Sequence, residues 1–181
     1  MTRALLLIDI QNGYFSDGAM TLSGMEQAAD NAARLLMRFR ERGDAVYHVQ
    51  HISTRPQAGF FLPDTPGVDI HPRVAPLNSE SLTRKHFPNA FRATTLADTL
   101  RALPLEELVS VGAMSHRCID ASTRAAFDLG FKCAVVQDAC ATRDLAFNGE
   151  TLKAREVHGA FMAALGSVYA HLTTTDDALA A

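Results

Sequence analysis

The stretch Ala4-Leu-Leu-Leu-Ile-Asp9, near the start of the chain, decides the fold class. It is a short, continuous apolar run without polar alternation, which is typical of a central strand that helices cover on both faces. The capping box Ser23-Gly-Met-Glu26 then opens a predicted helix, whose apolar stripe runs from Met25 to Phe39. A second strand is predicted at residues 45–51. This strand–helix–strand order indicates a parallel βαβ unit.

The same alternation continues through the rest of the chain. Further strands are predicted at residues 81–85, 108–112, 132–137 and 167–172, and further helices at residues 95–103, 118–129 and 152–165. Residues 52–80 lack a clear period and are rich in proline, which favours a long loop that acts as a lid or binding segment. The sequence therefore predicts a three-layer αβα Rossmann-like fold with a mainly parallel, about six-stranded sheet, in one domain spanning residues 1–181.

The composition excludes several other classes of protein. The 181 residues are 48% hydrophobic and 20% charged, as in a soluble globular domain, and the net charge is −3. Neither nucleic acid nor membrane is an expected partner, because the chain has no basic stripe and no apolar run near the ~20 residues that span a bilayer. Three cysteines, an odd number, and a chain that begins directly with a strand-like run predict a cytoplasmic protein without a signal peptide.

Four side chains that could take part in catalysis lie at or just beyond the ends of predicted strands. Asp9 ends the first strand, His51 the second and Lys85 the third, while Cys118 follows the fourth strand and opens the next helix. Ligands of open parallel sheets bind outside the carboxyl ends of the strands. The order of elements therefore predicts that these residues meet at one edge of the sheet.

Of the three cysteines, Cys118 has the sequence position that most favours a role as nucleophile. A thiol at a helix N-terminus has its pKa lowered from ~8.5 towards neutrality, and a nearby Lys85 would favour the thiolate further. Backbone N–H groups there can bind an oxyanion, and Asp9 can accept the thiol proton. The alternatives are that Cys118 is an ordinary buried cysteine, that Asp9 caps a turn, and that Lys85 is a surface lysine. Cys140 is the rival nucleophile, but no helix starts directly at it.

The chain resembles the isochorismatase-like cysteine hydrolases, a family that includes nicotinamidases and streptothricin hydrolases. The similar segments, in order, are Leu7-Ile-Asp9-Ile-Gln11-Asn12, Val49-Gln-His51, Arg84-Lys85-His-Phe-Pro-Asn-Ala-Phe91, Val111-Gly-Ala-Met-Ser-His-Arg-Cys118-Ile, Asp120-Ala-Ser-Thr-Arg124-Ala-Ala-Phe-Asp-Leu-Gly130 and Asp138-Ala-Cys-Ala-Thr-Arg143-Asp144. Each segment alone is weak evidence, whereas their order and spacing along nearly the whole chain are specific.

The resemblance implies a catalytic triad of Asp9, Lys85 and Cys118. It also implies a non-proline cis peptide at Ala113–Met114, which would turn the Met114 N–H towards the Cys118 N–H to form an oxyanion hole. Residues expected to line the substrate pocket are Gln11, Phe15, His51, Phe91 and Ser115. For His51, a structural, hydrogen-bonded role is an equal alternative. The family resemblance further suggests a homo-oligomer, either a dimer or a tetramer.

This chain differs from two subgroups of the family in ways that narrow the range of predicted substrates and cofactors. The isochorismatases proper resemble this chain but carry glycine at the position of Cys118, so the retained cysteine favours cleavage of an amide or another C–N bond of a small molecule. Nicotinamidases carry an Asp-x-His metal cluster after the second strand, whereas this chain reads His51-Ile-Ser-Thr-Arg-Pro there. We therefore expect no metal and no other cofactor, and nicotinamide is a doubtful substrate.

Other functions were weighed against the same residues. A dinucleotide-binding enzyme would carry G-x-G-x-x-G after the first strand, and this chain does not. A thiol redox protein would be expected to carry Cys-x-x-Cys, which is absent. A catalytically silent interaction scaffold and an isochorismatase-type ether hydrolase remain the alternatives to an amide hydrolase.

Overall fold

The computed structural model describes residues 2–181, and a six-stranded parallel sheet forms its centre. Its strands are β1 (Arg3–Ile8), β2 (Ala45–His51), β3 (Ser81–Lys85), β4 (Glu107–Ala113), β5 (Cys133–Ala141) and β8 (His171–Thr173). They lie in the order β3-β2-β1-β4-β5-β8, and each neighbouring pair is parallel. β1 is central and wholly buried, as its unbroken apolar run predicted. The sequence-based fold class is confirmed.

Helices cover both faces of the sheet. They are α1 (Met25–Arg42), α2 (Leu96–Arg101), α3 (Asp120–Asp128), α4 (Ala154–Val168) and α5 (Thr175–Ala180). One core forms where α1 and α5 pack on the sheet, and it includes Leu35 and Phe39. The second core lies on the opposite face and includes Leu100 of α2 and Leu165 of α4. The alternating side chains of the buried strands contribute to both cores, which gives the three layers.

The structure departs from the sequence prediction mainly in the last third of the chain. α4 continues to Val168, so the sixth strand starts at His171 and not at residue 167. A hairpin of β6 (Leu145–Phe147) and β7 (Glu150–Leu152) was not predicted. Its turn is Asn148-Gly149, with both residues at positive φ, which is the turn chemistry that two-residue hairpins require.

The loop between β2 and β3 is ordered by its prolines and by Gln11. It contains three short 3₁₀ turns, at Pro56–Ala58, Pro66–Val68 and Pro72–Val74, and each begins at a proline. The buried Gln11 amide donates to the carbonyls of Val68 and His51, at 2.6 and 2.9 Å, and accepts the His51 N–H at 2.8 Å. One side chain therefore joins β1, the end of β2 and the middle of the loop.

The far end of this loop is held by Glu80. Its carboxylate accepts hydrogen bonds from Arg40 of α1 at 2.7 and 2.8 Å, from the Leu77 N–H at 2.8 Å and from the buried His48 at 2.9 Å. Burial alone would raise the pKa of Glu80, but these donors outweigh it and lower the pKa from 4.5 to about 2. Glu80 therefore stays ionised and connects helix, strand and loop.

We expect Glu80→Gln to lower the free energy of unfolding by about 1–3 kcal/mol, because the buried His48 and the half-buried Arg40 lose a charged acceptor. The folded pKa of Glu80 lies below its ordinary value, so its stabilisation is present above about pH 4.5 and is lost as the pH falls towards 2. Urea unfolding of wild type and variant across this range measures the difference. The matched control is Glu41→Gln on the exposed face of α1, which should change little at any pH. Equal losses in both variants would contradict the role given to Glu80.

No helix within residues 2–181 is long and apolar enough to cross a membrane.

Candidate active site

Lys85 lies at the centre of a buried polar cluster at the carboxyl edge of the sheet. Its Nζ is 2.7 Å from Asp9 Oδ2, 3.0 Å from His51 Nδ1 and 3.3 Å from Cys118 Sγ. Asp9, Lys85 and Cys118 are all at most 1% exposed, whereas His51 is partly exposed. The structure thus brings together the four residues that the strand order predicted to meet.

Strand register explains why these distant residues meet. Lys85 pairs with His51 at the last position of β3 and β2, and Ile8 pairs with Gly112 between β1 and β4. A Cβ atom on Gly112 would lie only 1.9 Å from the Ile8 carbonyl oxygen, so the close approach of β4 to β1 requires glycine. Asp9, just beyond Ile8, has φ of 53°, a left-handed conformation that aspartate tolerates better than most residues.

Cys118 lies in a π-helical turn, Ser115–Ile119, that joins β4 to α3. The peptide bond between Ala113 and Met114 directly before this turn is cis. The Met114 carbonyl accepts hydrogen bonds from N–H groups three and five residues ahead, at 3.0 and 3.2 Å, so the first turn is wider than an α-helical turn. The prediction that Cys118 opens the α-helix is therefore wrong, since α3 begins at Asp120.

The pKa of Cys118 is raised to about 12, opposite to the shift predicted from a helix N-terminus. Burial is the largest cause, and the neighbouring Asp9 carboxylate adds to it, while Lys85 opposes both. Burial also raises the pKa of Asp9, although the Lys85 ammonium holds it down in part. Burial would lower the pKa of Lys85, but the charges of Asp9 and Cys118 raise it. The resting cluster therefore holds a thiol beside an Asp9–Lys85 ion pair.

Asp9 presents one carboxylate oxygen with no assigned partner. Oδ2 accepts from Lys85, whereas the buried Oδ1 has no hydrogen-bond partner among the described residues. Asp9 and Cys118 place a carboxylate oxygen and Sγ within 4.8 Å of one another. A buried, unsatisfied carboxylate oxygen is costly and in a native site points to a role in chemistry. The Asp9 carboxylate and the Cys118 thiol are therefore close neighbours in the buried cluster.

His51 is fixed as a neutral imidazole of one tautomer. Burial is the largest cause that lowers its pKa to about 3, and the positive charges of Lys85 and Arg117 add to it. The protonated Lys85 donates to Nδ1, so Nδ1 holds a lone pair and the ring proton is on Nε2. His51 therefore offers one N–H donor on the partly exposed side of the cluster.

We expect the His51 ring to remain neutral and Nε2-protonated between about pH 4 and 8, since its pKa lies well below its usual 6.5. Two-bond ¹H–¹⁵N correlation spectra report both tautomer and charge, and the His51 signal is assigned as the one lost in His51→Asn. A His51 midpoint near pH 6.5, or protonation on Nδ1, would contradict the assignment.

The cluster does not fit a metal ion. Asp9, His51 and Cys118 form the one group of at least three metal-ligating side chains found in the described part of the chain, with ligand atoms within 4.8 Å of one another. The Lys85 ammonium lies within 3.3 Å of an atom of each of them. The three donors therefore already share a cation, and a divalent ion added among them would be repelled by it.

The other predicted pocket residues are dispersed around the cluster. Phe15 stacks on His71 of the loop, with ring centroids 3.7 Å apart. Phe91 packs against Phe131, with ring centroids 6.2 Å apart, beside the core that also contains Cys118. Ser115, in the π-helical turn that contains Cys118, is hydrogen-bonded to His158 of α4 at 2.8 Å and to the Ala141 carbonyl at 3.3 Å. Gln11 has its amide directed to backbone groups, as described above. Among the five predicted pocket residues, His51 is the one whose side chain is hydrogen-bonded to Lys85.

Two residues near the cluster were not predicted as site residues from the sequence. Tyr14 is 1% exposed, and the charges of Asp9 and Cys118 act on its phenol, whose pKa burial raises well above 10. Arg117 directly precedes Cys118 and is half-buried. The signal available for Arg117 was its position next to Cys118 in the sequence. Tyr14 follows Asp9 by five residues, and only the turn after β1 brings it back to the site.

The fold and this site together define a class of protein: three-layer α/β proteins with a buried Asp–Lys–Cys cluster at the carboxyl edge of the sheet. Comparison with known proteins agrees, since residues 3–177 match the model of the isochorismatase domain. The chain is 51% identical over 176 residues to the uncharacterized isochorismatase family protein YddQ of Bacillus subtilis, covering 97% of this chain and 98% of that protein. The chain belongs to the isochorismatase family and is a hydrolase of that family.

Two further relatives widen the comparison. A maleamate amidohydrolase of Pseudomonas putida is 30% identical, over 97% of this chain and 84% of that protein. The crystal structure of an isochorismatase from Pseudomonas putida KT2440 superposes with a TM-score of 0.92 at 38% identity, covering 97% of this chain and 89% of that one. Relatives of the family thus include an amide hydrolase, and the resemblance drawn from the sequence segments is confirmed.

Proposed function

We propose that this hydrolase cleaves an amide or related C–N bond of a small molecule, with Cys118 as nucleophile, Asp9 as general base and acid, and Lys85 as the fixed cation between them. The observation that carries the proposal is the Lys85 ammonium, which contacts both Asp9 Oδ2 and Cys118 Sγ, at 2.7 and 3.3 Å, with all three side chains buried. A catalytically silent scaffold would have no need to bury this charged pair, which is costly to desolvate.

The proton transfer that forms the nucleophile keeps the charge of the site constant. Loss of the thiol proton to solvent would place two adjacent anions beside one ammonium, which is why the pKa of Cys118 is raised to about 12 by burial and by Asp9. Transfer of the same proton to Asp9 exchanges a carboxylate for a thiolate, and Lys85 contacts both groups. The thiolate is therefore formed by internal transfer to Oδ1 as the substrate binds.

The remaining steps follow from this transfer. The Cys118 thiolate attacks the acyl carbon, and the oxyanion is held by the N–H groups of Met114 and Cys118 at the start of the turn. Collapse breaks the C–N bond, and the leaving amine takes the proton from Asp9. Asp9 then removes a proton from water, which attacks the thioester; the acid leaves, and Cys118 recovers its proton from Asp9. No redox step and no metal is required.

Hydroxylamine trapping tests the proposal directly. The protein is incubated with a panel of small primary amides, with and without EDTA, and ammonia and hydroxamate are measured. We expect ammonia release that EDTA does not change, hydroxamate formed from the thioester in competition with acid, and acylation of the peptide that contains Cys118 in quenched samples. Ammonia release without acylated Cys118 or hydroxamate would overturn the covalent mechanism, and loss of activity in EDTA would overturn the metal-free site.

A further inference from the structure

The first two residues of the π-helical turn after β4 are hydrogen-bonded to segments outside the turn. Ser115 Oγ lies 2.8 Å from Nδ1 of His158 in α4 and 3.3 Å from the carbonyl oxygen of Ala141 at the end of β5. His116 Nδ1 lies 2.5 Å from the hydroxyl of Thr142, one residue further along the chain. The turn is therefore attached by side-chain hydrogen bonds to the end of the neighbouring strand and to a helix of the outer layer.

The directions of the two Ser115 hydrogen bonds follow from the partners. A carbonyl oxygen only accepts, so the single hydroxyl proton of Ser115 is donated to Ala141. The Ser115 oxygen then accepts a hydrogen bond from Nδ1–H of His158, which fixes the tautomer of that ring. Ser115 is wholly buried, so its hydroxyl depends on these two protein partners.

His158 is the polar member of the side of α4 that packs on the rest of the protein. The other side chains of α4 that are buried or partly buried are all apolar: Ala154, Val157, Phe161, Met162 and Leu165. A half-buried imidazole among apolar side chains is unfavourable unless its polar atoms are hydrogen-bonded. The hydrogen bond to Ser115 meets this need and joins the helix to the turn.

The turn carries both of the N–H groups that the proposed mechanism assigns to the oxyanion. Met114 directly precedes Ser115, and its carbonyl accepts hydrogen bonds from the N–H groups of Arg117 and Ile119, at 3.0 and 3.2 Å, on either side of Cys118. A shift of the Ser115 backbone therefore displaces the Met114 N–H relative to the Cys118 N–H. An oxyanion hole stabilises a transition state only while its donors are held in advance where the charge develops.

We propose that His158 is a positioning residue, which holds the two oxyanion-binding N–H groups in place through the Ser115 hydroxyl. The inference rests on the proposed function, because that function assigns the oxyanion to the N–H groups of Met114 and Cys118. The hydrogen bonds of the Lys85 cluster are made without His158. Removal of the imidazole therefore slows reactions of Cys118 that develop an oxyanion and spares those that do not.

Two reagents that react with the same thiol in different ways test this role without knowledge of the substrate. With para-nitrophenyl acetate, the sulfur–carbon bond forms through a tetrahedral oxyanion, the carbon–oxygen bond breaks and para-nitrophenolate leaves. Iodoacetamide alkylates the sulfur by displacement of iodide, and no oxyanion develops. The acylation rate is the para-nitrophenolate release that Cys118→Ala lacks. The alkylation rate is measured by mass spectrometry of the Cys118 peptide, and both reactions use the full-length protein.

We expect His158→Phe, which keeps a ring but removes the donor, to lower the acylation rate by about tenfold and the alkylation rate by less than about twofold. His158→Asn keeps an N–H donor near the position of Nδ1 and should recover most of the acylation rate. Leu165→Ala, further along α4, makes a cavity in the core and should lower the unfolding temperature without changing the ratio of the two rates.

A double-mutant cycle shows whether His158 acts through Ser115. Ser115→Ala should lower the ratio of acylation to alkylation as His158→Phe does. The double variant should then lower the ratio no further than Ser115→Ala alone, since one hydrogen bond is lost in each case. Additive losses would contradict the proposal, and so would a His158→Asn variant that acylates no faster than His158→Phe.

The remaining outcomes separate this inference from the proposed function. Equal losses of both rates in His158→Phe, an unchanged acylation rate, or a wild-type Cys118 that neither reagent modifies would overturn the positioning role. A selective loss of acylation together with failed hydroxylamine trapping of amides would keep the positioning role and remove the amide hydrolysis. Successful trapping, with the same ratio in His158→Phe and wild type, would keep the hydrolase and remove the positioning role.

Discussion

Cys118→Ala should lose at least about 10³-fold of amide turnover while remaining folded, because the covalent path is closed and no other group replaces the thiolate. The side chain is 1% exposed and small, so its truncation leaves little cavity and should not unfold the protein. Ammonia release from an accepted amide, with thermal unfolding of the same sample, measures both parts of the expectation.

Cys140→Ala is the matched control for this variant. Cys140 is also a buried cysteine near the carboxyl end of a strand, and burial likewise raises its pKa to about 12. The difference is that Cys118 contacts Lys85 at 3.3 Å, whereas Cys140 lies outside the cluster. We expect Cys140→Ala to keep turnover within a few-fold of wild type. Normal turnover in Cys118→Ala, or loss of turnover in Cys140→Ala, would show that Cys118 is not the nucleophile.

Lys85→Met should abolish turnover and lower the free energy of unfolding by about 3–5 kcal/mol at neutral pH, since it leaves a buried carboxylate without its cation. Methionine is unbranched like lysine and shorter by a single heavy atom, so the loss comes mainly from the missing charge. Both Asp9 and Lys85 have fully buried side chains, which is why the effect exceeds that of a surface pair. Chemical unfolding monitored by circular dichroism gives the magnitude.

The pH dependence of this variant has a definite sign. Without Lys85, the burial that raises the pKa of Asp9 acts unopposed by its main partner. A carboxyl whose folded pKa exceeds its unfolded value is most favourable when protonated, so its contribution is present at low pH and is lost as the pH rises through the folded pKa. Lys85→Met should therefore be less stable near pH 8 than near pH 5.

A second substitution distinguishes the cost of burying the unpaired Asp9 charge from an unspecific loss of stability in Lys85→Met. Asp9→Asn in the Lys85→Met background removes the orphaned charge, and we expect it to recover most of the lost stability near pH 8 without restoring turnover. Lys132→Met, at an exposed lysine, serves as the control for the loss of one positive charge. If Lys85→Met were as stable as wild type near pH 8, or if the double variant gained nothing, the buried ion pair would not have the energetic role assigned to it.

Much of the fold could be predicted from the sequence, because strands buried on both faces leave a local signal. The apolar run Ala4–Ile8 predicted the central strand, and β2 and β3 were predicted with the bounds that the structure shows. The capping box predicted at Ser23, in contrast, is not formed. Ser23 donates its N–H to the Thr142 carbonyl, and Gly24, at a φ of 75°, is the N-cap of α1. A contact 119 positions away in sequence decided that local geometry.

The sequence by itself determined which chemically able residues end the parallel strands, because strand direction and order place them at one edge. Only the tertiary structure decided how deeply these residues are buried and how their pKa values shift. It placed Cys118 in a π turn and buried it beside Asp9, so the pKa of its thiol is raised where a helix N-terminus alone predicts a lowered one. It also buried the Asp9–Lys85 ion pair completely, with 2.7 Å between Nζ and Oδ2. Burial and pairing depend on contacts between distant segments, so no local pattern in the sequence reports them.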